Sequence, residues 1–319
     1  MSAPTRGFRR LALVTLVLTF ALIMLGGVVR VTDSGLGCGP GDSGFHGWPL
    51  CNGDVIPGAS IHTGIEYAHR TVASAVGLLA LSLLVLARRR HRENRGLVRA
   101  TTGVFALVVA EGLLGGATVE ENLDEELVAA HLGLAMIILA LLIYIWRASR
   151  PEVIDAPVPE TSSGYRRFAI AVQVLVLLTI VAGGYMAGTQ KYGRPDYKLG
   201  DGAHHACGRE FPTCNDGFLP FGQSRLVDIH LTHRAFMYVT TIAILALIVM
   251  TLRRHSALRR SAYALGAVLA VQLVVGALNV WLEEYEVLIL AHLTLGALLW
   301  AASAMLTLQL YPVRARVTA

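Results

Sequence analysis

Long apolar runs alternate along the chain with short polar segments. Eight runs approach or exceed the roughly 20 residues a helix needs to cross a ~30 Å hydrocarbon layer. They are Leu11–Val29, Ile65–Ala87, Ala100–Val119, Leu127–Trp146, Phe168–Thr189, Ile229–Leu252, Ala262–Leu282 and Val287–Leu310. Backbone N–H and C=O groups in lipid must pair within their own segment, so runs of this length predict helices. The two-residue alternation of barrel strands is absent. The expected fold class is an all-α integral membrane protein with eight transmembrane helices.

Composition agrees with the pattern. Apolar residues make up 54% of the 319 positions and charged residues 15%, against about 25% charged in soluble domains. The net charge of +5 does not mark a nucleic-acid partner, because the basic residues follow the spans. Nineteen of the 27 Lys and Arg fall in alternate segments: Arg6–Arg10, Arg88–Arg99, Arg147–Arg167, Arg253–Arg260 and Arg314–Arg316. The opposite segments are acidic, with Glu120, Glu121, Asp124, Glu125 and Glu126 in one and Glu283, Glu284 and Glu286 in another. A basic excess marks the cytoplasmic side, so both termini are expected there. The first run has the positive flank of a signal peptide but lacks a convincing cleavage site, and it is read as a retained helix.

The chain also repeats itself. Ile65-Glu-Tyr-Ala-His-Arg70 matches Ile229-His-Leu-Thr-His-Arg234, and Trp48-Pro-Leu-Cys-Asn52 matches Phe211-Pro-Thr-Cys-Asn215. Leu114-Gly-Gly-Ala117 with the later Ala130-His-Leu132 matches Val275-Gly-Ala277 with Ala291-His-Leu293, and Gly26-Gly27 matches Gly183-Gly184. The halves are parallel repeats of four helices. The expected organisation is a four-helix bundle over 1–150, a Pro- and Ser-rich cytoplasmic linker over 151–164, and a second, pseudo-symmetric bundle over 165–319.

Four histidines occupy repeat-related places inside spans: His69 and His131 in the first half, His233 and His292 in the second. Ionisable or coordinating residues in a span are costly and face the bundle interior. At 1.5 Å per residue they sit roughly 8–9 Å below the outer boundary. Two imidazoles from facing helices suit axial ligation of haem iron. Zinc or copper would want a third or fourth ligand, which Glu66 could supply in the first half. Arg70 and Arg234, directly after two of these histidines, are candidates for pairing with a haem propionate or for snorkelling to the interface.

The halves differ at Glu66, one turn outward of His69, whose counterpart is His230. A carboxylate beside a haem can handle protons or stabilise charge during oxygen chemistry, so Glu66 is the candidate catalytic residue. Glu111 in the third helix corresponds to Gln272 and ranks lower, as a structural hydrogen-bonder. Cys38, Cys51, Cys207 and Cys214 all lie in outer loops, on the oxidising side. Four cysteines allow three connectivities. The simplest pairs each within its own repeat, Cys38–Cys51 and Cys207–Cys214, as staples or as a redox relay.

Taken together, Gly26-Gly-Val-Val-Arg-Val-Thr-Asp-Ser-Gly-Leu36, Trp48-Pro-Leu-Cys-Asn52, Glu66-Tyr-Ala-His-Arg70, the second His-Arg pair and the two late histidines resemble the bacterial haem A synthase family over nearly the whole chain. The resemblance implies a multi-pass enzyme of the bacterial cell membrane. It would oxidise the C8 methyl group of haem O to a formyl group by successive hydroxylations, giving haem A for terminal oxidases. Carried over by position, it makes His69 and His131 the ligands of the substrate haem and Glu66 the essential carboxylate beside it. His233 and His292 become ligands of a resident haem b that transfers electrons. Cys207 and Cys214 match the family's structural disulfide, and Cys38 and Cys51 the pair assigned a redox role. The stretch Gly39–Leu50 is longer than the family's usual spacing. An electron donor outside the chain is implied, with haem O synthase and terminal oxidase assembly factors as candidate partners. Two other readings fit four paired histidines: a quinone-linked di-haem electron-transfer protein, and a haem carrier without catalysis. A transporter fits least, since no span has the broken, substrate-lined pattern.

Overall fold

A computed structural model describes residues 4–41, 43–58, 60–154, 156–190, 202–282 and 286–313. Glu283, Glu284, Arg314 and Arg316, used above for topology, lie outside the described residues. Among the described residues, eight helices are long and apolar enough to cross a membrane. They are α1 (Arg6–Val31), α2 (Ile61–Arg90), α3 (Arg95–Glu120), α4 (Glu125–Ala148), α5 (Ser163–Gly188), α6 (Arg225–Arg254), α7 (Arg259–Trp281) and α8 (Glu286–Gln309). The chain is a multi-pass, all-α membrane protein.

Most helices outrun their apolar stretches, for a local reason. Side-chain oxygens of Thr5, Ser60, Asn94, Asp124, Ser162 and Ser224 accept hydrogen bonds from backbone N–H groups of the first turns of α1 to α6. Those N–H groups have no partner inside the helix, so each cap extends the helix into the polar flank. Within the predicted linker, Pro151–Ile154 forms one further helical turn.

The helix contacts close two rings. α1 packs on α2, α2 on α3, α3 on α4 and α4 back on α1; α5, α6, α7 and α8 do the same. The rings meet where α4 lies on α5, and where α8 lies on α1 and α4. Glycines set the closest approaches, as expected where helices associate in lipid through tight packing. Gly27 of α1 takes Leu290 and Leu293 of α8, whose methyls lie 3.0 and 3.2 Å from a Cβ placed there. Gly184 of α5 takes Leu132 of α4 at 3.0 Å in the same way.

Apolar packing fills the end of the helices away from the disulfide loops. Phe8, Ala12, Leu83, Leu97, Ile138 and Leu142 form one cluster among the first four helices. Met136, Leu139, Ile143, Val172, Leu247 and Trp300 belong to a second that joins α4 to the later helices. One face of α4 thus serves each cluster. Trp300 donates its indole N–H to the Met136 carbonyl at 2.6 Å, fixing α8 against α4. Outward-facing Leu78, Ile242 and Val274 are 67%, 69% and 59% exposed, a surface suited to lipid.

Candidate functional site: two histidine pairs under disulfide-stapled loops

All four repeat-related histidines lie within the first three turns of α2, α4, α6 and α8, above the apolar clusters. Each imidazole rests against a glycine of the preceding helix. A Cβ on Gly26 would lie 3.3 Å from His69 Cε1, and one on Gly115 would lie 3.1 Å from His131 Cε1. At Gly183 and Gly276 the same distances, to His233 and His292, are 2.9 Å. Any side chain there would push the ring away, which gives a physical reason for glycine at those positions.

Within each half one imidazole lies close enough to the other to feel its charge, His69 that of His131 and His292 that of His233. His233 Nδ1 faces the Thr179 carbonyl at 3.1 Å. The Nδ1 atoms of His69 and His292 are buried without a hydrogen bond, and that of His131 has only an unaligned carboxylate beside it. Buried orphan nitrogens are costly in a protein interior and point to a missing partner. Among the described residues, the single cluster of three close His, Cys, Asp or Glu ligand atoms is Asp124–Glu126, in an outer turn. Neither histidine pair gathers a third such ligand, so a bare zinc or copper site is disfavoured. A porphyrin iron needs only the two axial nitrogens. The residues present fit haem.

Glu66 is 3% exposed and both of its oxygens are engaged. Oε2 accepts the Cys38 N–H at 2.8 Å, and Oε1 accepts a short hydrogen bond from Arg70 Nη2. Arg70 Nη1 donates to the carbonyls of Gly47 and Leu50, at 2.6 and 2.8 Å. Glu66 and Arg70 therefore hold the outer loop that Cys38–Cys51 closes. The second half repeats the device. His230 Nδ1 lies 2.7 Å from the Ala203 carbonyl. Arg234 donates to the carbonyls of Thr213 and Glu210, at 2.6 and 2.8 Å, in the loop closed by Cys207–Cys214. Both candidate propionate arginines thus spend donors on loop carbonyls, an arrangement no sequence signal announced. Even the turns after the disulfides correspond, Cys51 bridging to Asp54 and Cys214 to Gly217. Both disulfides are the within-repeat pairs.

Three features matter more than the sequence alone indicated. Arg30, at the end of α1, reaches across to the second half and donates to the carbonyls of Ala187 and Gln190. His204 sits in the second stapled loop. Burial first, then the charges of His230 and Arg30, push its pKa down to about 3. Glu111 brings Oε1 to 3.2 Å from His131 Nδ1, closer to a histidine ligand than its low sequence rank suggested.

A profile of the cytochrome oxidase assembly protein family (COX15-CtaA) matches residues 9–304. The chain belongs to this family. Among its relatives, the protein named Heme A synthase from Shouchella clausii is 29% identical over 279 residues, 85% of this chain and 84% of the relative. The Heme A synthase of Halalkalibacterium halodurans is 30% identical over 74% of this chain and 73% of its own length. That of Symbiobacterium thermophilum is 28% identical over 86% and 85%. The family match spans nearly all of the helical region, including both halves of the repeat.

Proposed function

We propose that the chain is a haem A synthase that oxidises the C8 methyl of haem O to a formyl group. The observation that carries this reading is the fourfold placement of a histidine on a glycine, two per half, at one depth beneath stapled loops. The relatives' shared name supports the choice of reaction. Each of two successive hydroxylations of the methyl takes one oxygen atom from O2; the other leaves as water with two electrons from an external donor and two protons. The resulting gem-diol loses water to leave the formyl.

In this reading His69 and His131 hold the substrate haem in the first bundle, and His233 and His292 hold haem b in the second. Haem b, when bound, supplies one-electron transfer. Other tasks belong to the chain's own residues. Gly26, Gly115, Gly183 and Gly276 let the imidazoles turn toward the bundle axes. Arg70 and Arg234 clamp the outer loops, which exclude water from above. Glu66 is the carboxylate above His69, where it orders the Cys38 N–H and holds or moves a proton at its oxygens. Leu132 and Leu293 directly follow ligand histidines and pack into the opposite half, so the two sites adjoin across the Gly27 and Gly184 contacts. The loops with the disulfides face outward and both termini face the cytoplasm, following the basic residues. Electrons come from an external donor.

The test is the pigment carried by the purified protein after co-expression with an enzyme that makes haem O, extracted and identified by chromatography and mass. Haem B together with hydroxylated or formylated haem is expected. Haem B alone, with haem O and oxygen abundant, would favour the di-haem electron-transfer protein instead.

A further inference from the structure

The halves differ at a second place, which the chemistry of the first site does not use. Glu111 lies one turn before Gly115 on α3, and Gln272 one turn before Gly276 on α7. Both therefore share the face on which the next helix lays its histidine. Glu111 Oε1 stands 3.2 Å from His131 Nδ1, while Gln272 Nε2 stands 3.4 Å from His292 Nε2. A carboxylate deep in an apolar span is expensive and needs a partner. His131 Nδ1 is otherwise without one, and so is Glu111 Oε2. The approach lacks hydrogen-bond alignment, as is common before a site is filled.

We propose that Glu111 is a positioning residue for His131: it accepts the Nδ1–H, turns Nε2 toward the haem iron, and makes this ligand more electron-donating than His292, whose Nδ1 has no carboxylate partner among the described residues. An outer carboxylate on a ligand histidine fixes the tautomer and raises ligand basicity. Stronger donation stabilises the ferric state and lowers the reduction potential, one of the protein's main levers on a haem. The Glu/Gln difference thus tunes the two haems apart, the lower potential falling to the site held by His131. This rests on the ligand assignment proposed above.

The test is redox titration and EPR of protein loaded with both haems. Glu111→Gln should shift the potential of one haem upward and alter its EPR signature, leaving the other haem in place. Glu111→Ala removes the carboxylate without adding an amide and should give the same upward shift, which keeps the inference testable if Glu111→Gln loads poorly. Both haems bound with unmoved potentials in either variant would overturn the tuning role. The ligand assignment fails separately: His131→Ala that still carries both haems would remove it, whatever the potentials do.

Discussion

Arg70 and Arg234 look alike in the sequence and in their hydrogen bonds to loop carbonyls, yet their electrostatic positions differ. Arg70 is paired with buried Glu66; Arg234 has no carboxylate hydrogen-bonded to it among the described residues. Removing one member of a buried ion pair strands the other charge, at a cost of about 3–5 kcal/mol. Arg70→Ala should therefore open the first outer loop more than Arg234→Ala opens the second, as read by hydrogen exchange of residues 37–54 and 203–217. Equal opening would show that Glu66 is held by Cys38 alone. His204 adds a pH dependence of opposite origin to an ion pair. Its folded pKa, about 3, lies below the unfolded value of about 6.5, so the unfolded loop binds more protons between the two. The neutral ring's contribution is complete above about pH 6.5 and declines as pH falls toward 3. Exchange in the loop around His204, corrected for the intrinsic rate, should quicken at about pH 5 relative to about pH 7.5. In His204→Gln that difference should vanish; its persistence would assign it to another group. At this scale the histidines were legible because a polar residue inside an apolar run stands out. The bonds of Glu66 and Arg70 to the loop were not, because those partners are backbone groups of Cys38, Gly47 and Leu50, which carry no side-chain signal.

Helices were legible as apolar runs, and their ends were not. Capping by Ser60, Asn94 and Ser224 depends on one oxygen meeting one N–H, and it carries α2, α3 and α6 past the lipid-compatible stretch. The glycine pairs were visible only as a repeat; their use appears once neighbouring helices are in place. Gly26 and Gly183 each face the histidine of their own half, while Gly27 and Gly184 each face a leucine of the other. Adjacent residues on α1 and α5 thereby serve two contacts. Gly183→Val should displace His233 and lower haem retention in the second half, with overpacking of about 1–3 kcal/mol. Gly103→Ala, where nothing lies within 4 Å, should leave haem content unchanged and favour α3 slightly. Haem-to-protein ratios of the two purified variants check this, and equal ratios would mean that the glycine contact does not position the ring.

For the whole molecule, duplication explains why so much could be read from one sequence. A single lone histidine in a span says little, whereas four at matching positions carry the proposal of two haem sites. Duplication hides the division of labour, because both halves present the same helices, loops and staples. Cross-connections between the halves come from Arg30, from the Arg225–Glu125 ion pair at 2.7 Å, and from Tyr185, which donates to Glu126 at 3.1 Å. They hold the outer ends of the rings together above the leucine–glycine contacts.

The central claim is that each half has its own haem and that only the first half's is transformed. The pigments of His131→Ala and His292→Ala, expressed with a haem O-producing enzyme and compared by mass, test it most directly. His131→Ala should keep haem B and carry no hydroxylated or formylated haem, whereas His292→Ala should lose haem B. The reverse pattern, or loss of the same haem from both variants, would contradict it.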